Sequence, residues 1–248
     1  MQPQQIGLMA LLLPWAMNLP TAVAPDHAPG QRGGMTSLPL DCQLAATLVP
    51  PDLRPAFLAL FALDDRLAGI VRITREPLIG QMRLTWWYDA LNRLDTAPAP
   101  AEPLLQEIAE QLLPIGITGA DLAAMTDGWE ALIVAEPLDE GALASHADLR
   151  GAKLFVLAGR LLGRDSALLG PAGRGWAYAD LAVHLSSSSA MQRAGELASE
   201  QFRQAFSQRW PTGLRAVGVL SLLARMDAAP GSPIGKALAV ARFRLFGR

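Results

Sequence analysis

Asp64-Asp65 is the most suggestive acidic pair in this 248-residue chain. Two carboxylates one turn apart on a helix face can hold magnesium for a diphosphate substrate. That geometry needs acids at i and i+4, and the positions four residues on hold Ala68 and Gly69. Adjacent acids diverge by about 100° on a helix. The pair is therefore a poor metal clamp, and a structural ion pair with Arg83 or Arg72 is the better reading. Asp180 and His184 form an i, i+4 pair that could orient a base or hold a metal. No second acid or histidine stands near them, so a surface hydrogen bond is the simpler expectation. Ser186 to Ser189 have no G-x-S-x-G context for a nucleophile. Gly170, Gly173 and Gly175 do not follow a strand, which argues against a phosphate-cradling loop. His27, His146 and His184 lack metal-ligand spacing. A lone cysteine, Cys42, rules out a disulfide framework and a cysteine zinc site within one chain.

The element that must position Arg83 against the first of these groups is Glu76–Asp95. Pro77 suits a first helical turn, where its missing N–H is an orphan anyway. No proline follows until Pro98, leaving room for about five turns. At about 100° per residue, Ile79, Leu84, Trp87, Ala90, Leu91 and Leu94 share one arc, widened by Met82 and Trp86. One indole of Trp86-Trp87 faces each side of that arc, so both are expected in the core. Arg83 lies inside the apolar arc. A guanidinium there needs an acidic partner or a wet cavity, unless it snorkels to the surface. The preceding helix, expected from an Asp52 cap to about Ile73, places Asp64 on the same arc as Phe57, Leu60, Leu67, Ala68 and Val71. The turn between the helices is very short, so they are expected to be antiparallel neighbours. Asp64 and Arg83 then lie about ten residues back and eight forward of it, levels that differ by about 3 Å. The expected pair is Arg83 with Asp64.

The rest of the chain reads as helix. Nothing alternates with period 2 for long, and the segments between Pro and Gly are helix-length. A short helix capped by Asp41 runs to Val49. Glu102–Leu113, Thr118–Ala135 (with Thr118 and Asp121 as a capping box), Asp139–Leu162 (interrupted near Gly151), Ala172–Leu185, Ala190–Trp210, Gly213–Ala228 and Ser232–Phe246 follow. The expectation is a single all-α domain over residues 41–248, with about eight to ten helices. Hydrophobic residues make up 51% and charged residues 18% of the chain. A sizeable core is therefore available. The net charge of −2 gives no general drive toward nucleic acid. Residues 1–40 read as a leader outside the fold. Ile6 to Ala16 is too short to span a membrane but has the length of a signal-peptide core, with Ala22-Val23-Ala24 resembling a cleavage site. Met1 to Gln5 carry no Lys or Arg, and Met35 is an alternative start.

Phe57-Leu58-Ala59-Leu60-Phe61-Ala62-Leu63, Glu76-Pro77-Leu78-Ile79-Gly80 and Arg83-Leu84-Thr85-Trp86-Trp87-Tyr88-Asp89-Ala90-Leu91 resemble the squalene/phytoene synthase family. They are most similar to its divergent branch, which includes the mitochondrial complex I assembly factor. Weaker similarity runs through Ala152–Gly163 and Gly175–Tyr178. The resemblance implies an all-α isoprenoid-synthase fold around a central cavity. Asp64, Arg83, Trp86, Trp87 and Tyr178 become candidates for its wall or for an ion pair within it. Catalytic members carry two Asp-rich motifs that hold magnesium and a prenyl diphosphate. Here the first motif's terminal acids fall on Ala68 and Arg72, and the second motif's region offers only Asp180.

Two functions are consistent with these residues. One is a non-catalytic protein that needs no cofactor, binds a lipid, an isoprenoid-like ligand or a protein partner, and by the resemblance assists respiratory-complex assembly. The other is a magnesium-dependent prenyl transferase resting on Asp64, Asp65 and Asp180. The missing acids favour the first. A cytoplasmic location is expected, peripheral at the inner membrane, with a signal peptide left open. The last helix mixes Lys236, Arg242, Arg244 and Arg248 with apolar residues, which suits contact with an anionic bilayer or an acidic partner.

Overall fold

Prolines and short polar side chains set where the helices begin. A computed structural model describes residues 38–74, 76–134, 138–228 and 232–248. Nearly all of the expected leader lies outside these residues, and Leu38 is already buried in the core. Helix α1 is Leu40–Ala46, with Asp41 in its first turn. Helix α2, Arg54–Ile73, starts after Leu53 rather than at Asp52, with Pro55 in its first turn. Helix α3 is Pro77–Arg93 and α4 is Pro103–Gln111. The Glu102 carboxylate caps α4 by accepting from Leu105 N–H at 2.8 Å. Helix α5, Gly119–Val134, is capped twice. Thr118 Oγ1 accepts from Asp121 N–H, while Asp95, from the end of α3, accepts from Gly119 and Ala120 N–H. The Asp121 side chain does not close the capping box, because it pairs with Lys153 and Arg160 instead.

The long helix expected over Asp139–Leu162 is one rod whose interruption near Gly151 has a defined form. Helix α6, Glu140–His146, runs into a π-helical segment, Ala147–Ala152, and continues as α7, Lys153–Leu161. Gly163 stops it in the left-handed conformation, at φ +64°. Glycine takes that conformation at a helix C-terminus without a Cβ penalty. Helix α8 is Leu169–His184, α9 is Ser188–Ala205, α10 is Arg215–Asp227 and α11 is Pro233–Phe246. Taking the rod as one, the described residues form ten helices and no strand.

The fold is all-α, of the isoprenoid-synthase type. Helix α2 runs through its middle and touches α1, α3, α4, α5 and α7. Its first half, expected to be apolar all round, supplies Phe57, Leu60, Phe61 and Leu63 to the core. Helix α3 packs chiefly on α5 rather than on α2. A groove of about 340 Å³ opens on the outer side, between α2 and α3. Helix α8 lies directly on the π-helical segment. Gly151 and Gly173 face each other there, and a Cβ on either would overlap the carbonyl oxygen of the other. The Gly/Pro stretch around residue 173 is thus a close-packing surface inside a helix. No described helix is long and apolar enough to cross a membrane.

Candidate functional site

Helix α2 delivers Asp64 to the centre of the bundle, but its partner is Arg150 and not Arg83. Arg150 Nε donates to Asp64 Oδ1 at 2.9 Å and Arg150 Nη2 donates to Asp64 Oδ2 at 3.0 Å. This two-point geometry matches the planar guanidinium fork to a carboxylate. Arg150 Nη1 donates to Asp180 Oδ2 of α8 at 2.5 Å. The guanidinium is also sandwiched between two indoles, 4.2 Å from the Trp129 ring centre and 4.5 Å from that of Trp176. Cation–π attraction is stronger at such a desolvated site than in water. Trp129 Nε1–H has no hydrogen-bond partner among the described residues, so this indole contributes its face.

His146 completes the cluster. Its Nδ1 lies 2.7 Å from the Gly128 carbonyl oxygen, and its Nε2 lies 3.2 Å from Arg150 Nη1. A carbonyl only accepts and a guanidinium only donates, so Nδ1 carries the proton and Nε2 accepts. Burial, together with the adjacent Arg150 charge, pushes the imidazole down to about 3, so it is neutral. Burial opposes the charge on Arg150, but Asp64 and Asp180 more than offset it and hold the guanidinium above its usual range. Burial likewise opposes ionisation of Asp180. Arg150 and the His184 hydrogen bond overcome this and hold its carboxyl well below the carboxylate range.

The π-helical segment makes this convergence possible. Arg150 lies within the widened turn and His146 immediately precedes it, and Gly128 of α5 lets the backbone come close, since a Cβ there would meet Arg150 N at 2.7 Å. Single π turns of this kind are frequent at functional sites. The sequence carries a usable signal. Leu143, Ala147, Arg150, Leu154, Leu157 and Leu161 follow one helical stripe and all are buried. Arg150 interrupts that stripe as Arg83 interrupts its own, and His146 stands one turn away.

The other expected site residues are dispersed. Arg83 is exposed and donates to Thr74 Oγ1 at 3.3 Å. The packed face of α3 is narrower than the expected arc. It consists of Gly80, Leu84, Trp87, Ala90 and Leu91, while Ile79 and Met82, both on one side of Arg83 in the arc, are exposed. Trp87 is buried, but Trp86 is half-exposed at 49%, contrary to its expected core position. Asp65 meets Arg72 at 3.7 Å. It turns away from Asp64, as adjacent helix residues must. Tyr178 is buried on α8 among Asp148 and Arg174, outside the cluster, and burial pushes its phenol up. The expected Asp180–His184 contact is present, at 3.3 Å between His184 Nδ1 and Asp180 Oδ1. The serine run starts α9, where Ser187 Oγ accepts from Ala190 N–H.

A small space of about 30 Å³ lies beside Asp180, Trp129 and Leu181. That is space enough to hold a water molecule. A permanent cation offsets part of the negative charge of two carboxylates and occupies the position between them that a divalent cation would otherwise take. Ala68 is buried and Arg72 exposed where terminal acids of an Asp-rich motif would stand. Among the described residues no three or more His, Cys, Asp or Glu side chains are grouped to hold a metal. These residues do not fit a magnesium–diphosphate centre. The squalene/phytoene synthase family model matches residues 41–197. No curated protein and no solved structure matches the chain.

Proposed function

The chain belongs to the squalene/phytoene synthase family, and from that premise we propose that it is a non-catalytic member, acting through what it binds. The observation that carries this reading is Arg150, held between Asp64 and Asp180 and buried to 2% exposure. Prenyl-diphosphate chemistry needs carboxylates free to collect magnesium against a departing diphosphate. Here both central acids are committed to one guanidinium, and Ala68 and Arg72 replace the acids of the first motif. Family membership alone does not supply the activity.

The reading extends to the divergent branch that the sequence resembles. In it the chain assists assembly of a respiratory complex, through a protein partner or a bound lipid. Incubating the full chain with radiolabelled farnesyl and geranylgeranyl diphosphate plus magnesium tests the first part. No C30 or C40 product is expected. Product formation would restore the alternative, a magnesium-dependent prenyl transferase. Capture of partners from membranes with the full chain tests the second part. Respiratory-complex subunits or their assembly proteins are expected, and their absence counts against it.

A further inference from the structure

We propose that the α2–α3 end of the molecule docks on the surface of an anionic bilayer, with Leu78, Met82 and Trp86 entering the interface and Arg83 engaging a lipid phosphate. Ile73 closes α2 at 72% exposure, and Leu78, Met82 and Trp86 on α3 are 67%, 64% and 49% exposed. Leu78, Met82 and Trp86 are spaced by four residues, so they form one stripe along the helix. Large apolar side chains gathered at one end of a fold mark an interaction site.

The chemistry of the neighbours selects the occupant. Arg83 stands beside this stripe at the mouth of the outer groove, which Ile70, Ile73, Trp86 and Trp87 line. Its one hydrogen bond among the described residues is to a neutral hydroxyl, that of Thr74. The other charged groups lining the groove are already engaged, Arg66 with Glu102 and Asp65 with Arg72 outside it. Arg83 therefore offers an uncommitted planar donor set to an anion at the edge of an apolar surface. That is the arrangement of a lipid phosphate above its acyl chains. Trp86 adds a ring with an apolar body and a polar edge, the type that settles at the headgroup level. The groove gives one apolar chain segment somewhere to lie. Glu76 at the turn is exposed. This surface lies on the opposite side of α2 from the Arg150 cluster, so the inference holds whether or not the chain is catalytic.

Co-sedimentation of the full chain with vesicles of phosphatidylglycerol and phosphatidylcholine, against phosphatidylcholine alone, tests it. The full chain should bind the anionic vesicles. Leu78→Ser with Met82→Ser and Trp86→Ser should lower binding by about tenfold or more. Arg83→Gln should lower it about fivefold, the effect of one basic residue near an anionic surface. Arg242→Gln with Arg244→Gln, on α11, should bind as the unaltered chain does. All these side chains are exposed, and coincident melting curves confirm that each variant is folded. The proposal is overturned if the α2–α3 variants bind like the unaltered chain, if only the α11 variant loses binding, or if the full chain prefers neither vesicle.

Discussion

Arg150 and Arg83 each interrupt a helix arc that is otherwise apolar, and each has tryptophan neighbours, yet 2% of Arg150 reaches solvent while Arg83 is exposed. The inner arginine has two carboxylates, an imidazole and two indole faces. The outer one has a hydroxyl and an open groove. An arginine on an apolar arc must either be matched on every side or sit at the rim. Which outcome occurs depends on what the facing helices bring. Helices α5, α8 and α2 all converge on Arg150. Helix α3 leans on α5, and its Arg83 edge is left without a covering helix among the described residues.

The largest expected effect tests the inner site. Arg150→Met should cost about 3–5 kcal/mol in urea unfolding, because Asp64 is left charged and unpaired at the centre while Asp180 keeps only its His184 contact. Replacing Asp64, Arg150 and Asp180 together with apolar residues of similar volume should cost much less. A loss under about 1 kcal/mol for Arg150→Met alone would mean that solvent reaches the cluster, and the contrast with Arg83 would collapse.

A smaller effect comes from His146. Its folded-state value, about 3, lies below the usual 6.5, so the unfolded chain binds the proton more readily. The stability it contributes is therefore fully present above about pH 6.5 and is lost as the pH falls toward 3. Between pH 7 and pH 5 the loss should be about 2 kcal/mol. His146→Gln can donate to Gly128 and accept from Arg150, and it should remove that part of the pH dependence. Asp180, whose folded value is also depressed, contributes stability that is lost only in more acidic solution, so it does not obscure this window. Equal slopes for the two chains would show that His146 is not held neutral.

The smallest effect is expected at the outer site. Arg83→Ala should change stability by no more than about 0.5 kcal/mol. A double-mutant cycle between Asp64 and Arg83 should show coupling below about 0.5 kcal/mol, against more than about 1 kcal/mol between Asp64 and Arg150. Measurable coupling to Arg83 would blur the division between the two regions.

Much of the scaffold is legible in the chain itself. Pro55, Pro77, Pro103 and Pro233 each stand in a first turn, and Glu102, Asp139 and Ser232 cap the helices they precede. These are local effects, decided within a few residues by missing N–H groups and short acceptors. The apolar spacing of Leu84, Trp87, Ala90 and Leu91 also gives the packed face of α3, since burial follows helix period. The need of Asp64 for a cationic partner is equally legible, because an unpaired carboxylate on that arc has no tolerable environment.

What the sequence leaves open is the partner's identity. Arg150 is 86 residues from Asp64, while Arg83 lies just across a short turn, and proximity along the chain favours the wrong one. Three long-range facts decide the matter. Helix α3 packs on α5, which turns Arg83 outward. Gly151 and Gly173 allow the π-helical segment to press against α8, which brings Asp180 within reach. The widened turn at Ala147–Ala152 shifts the helical phase just where Arg150 must point inward. Helix period fixes which residues share a face. Only the packing of whole helices against one another fixes which faces meet, and a buried charge takes its partner from whatever face arrives.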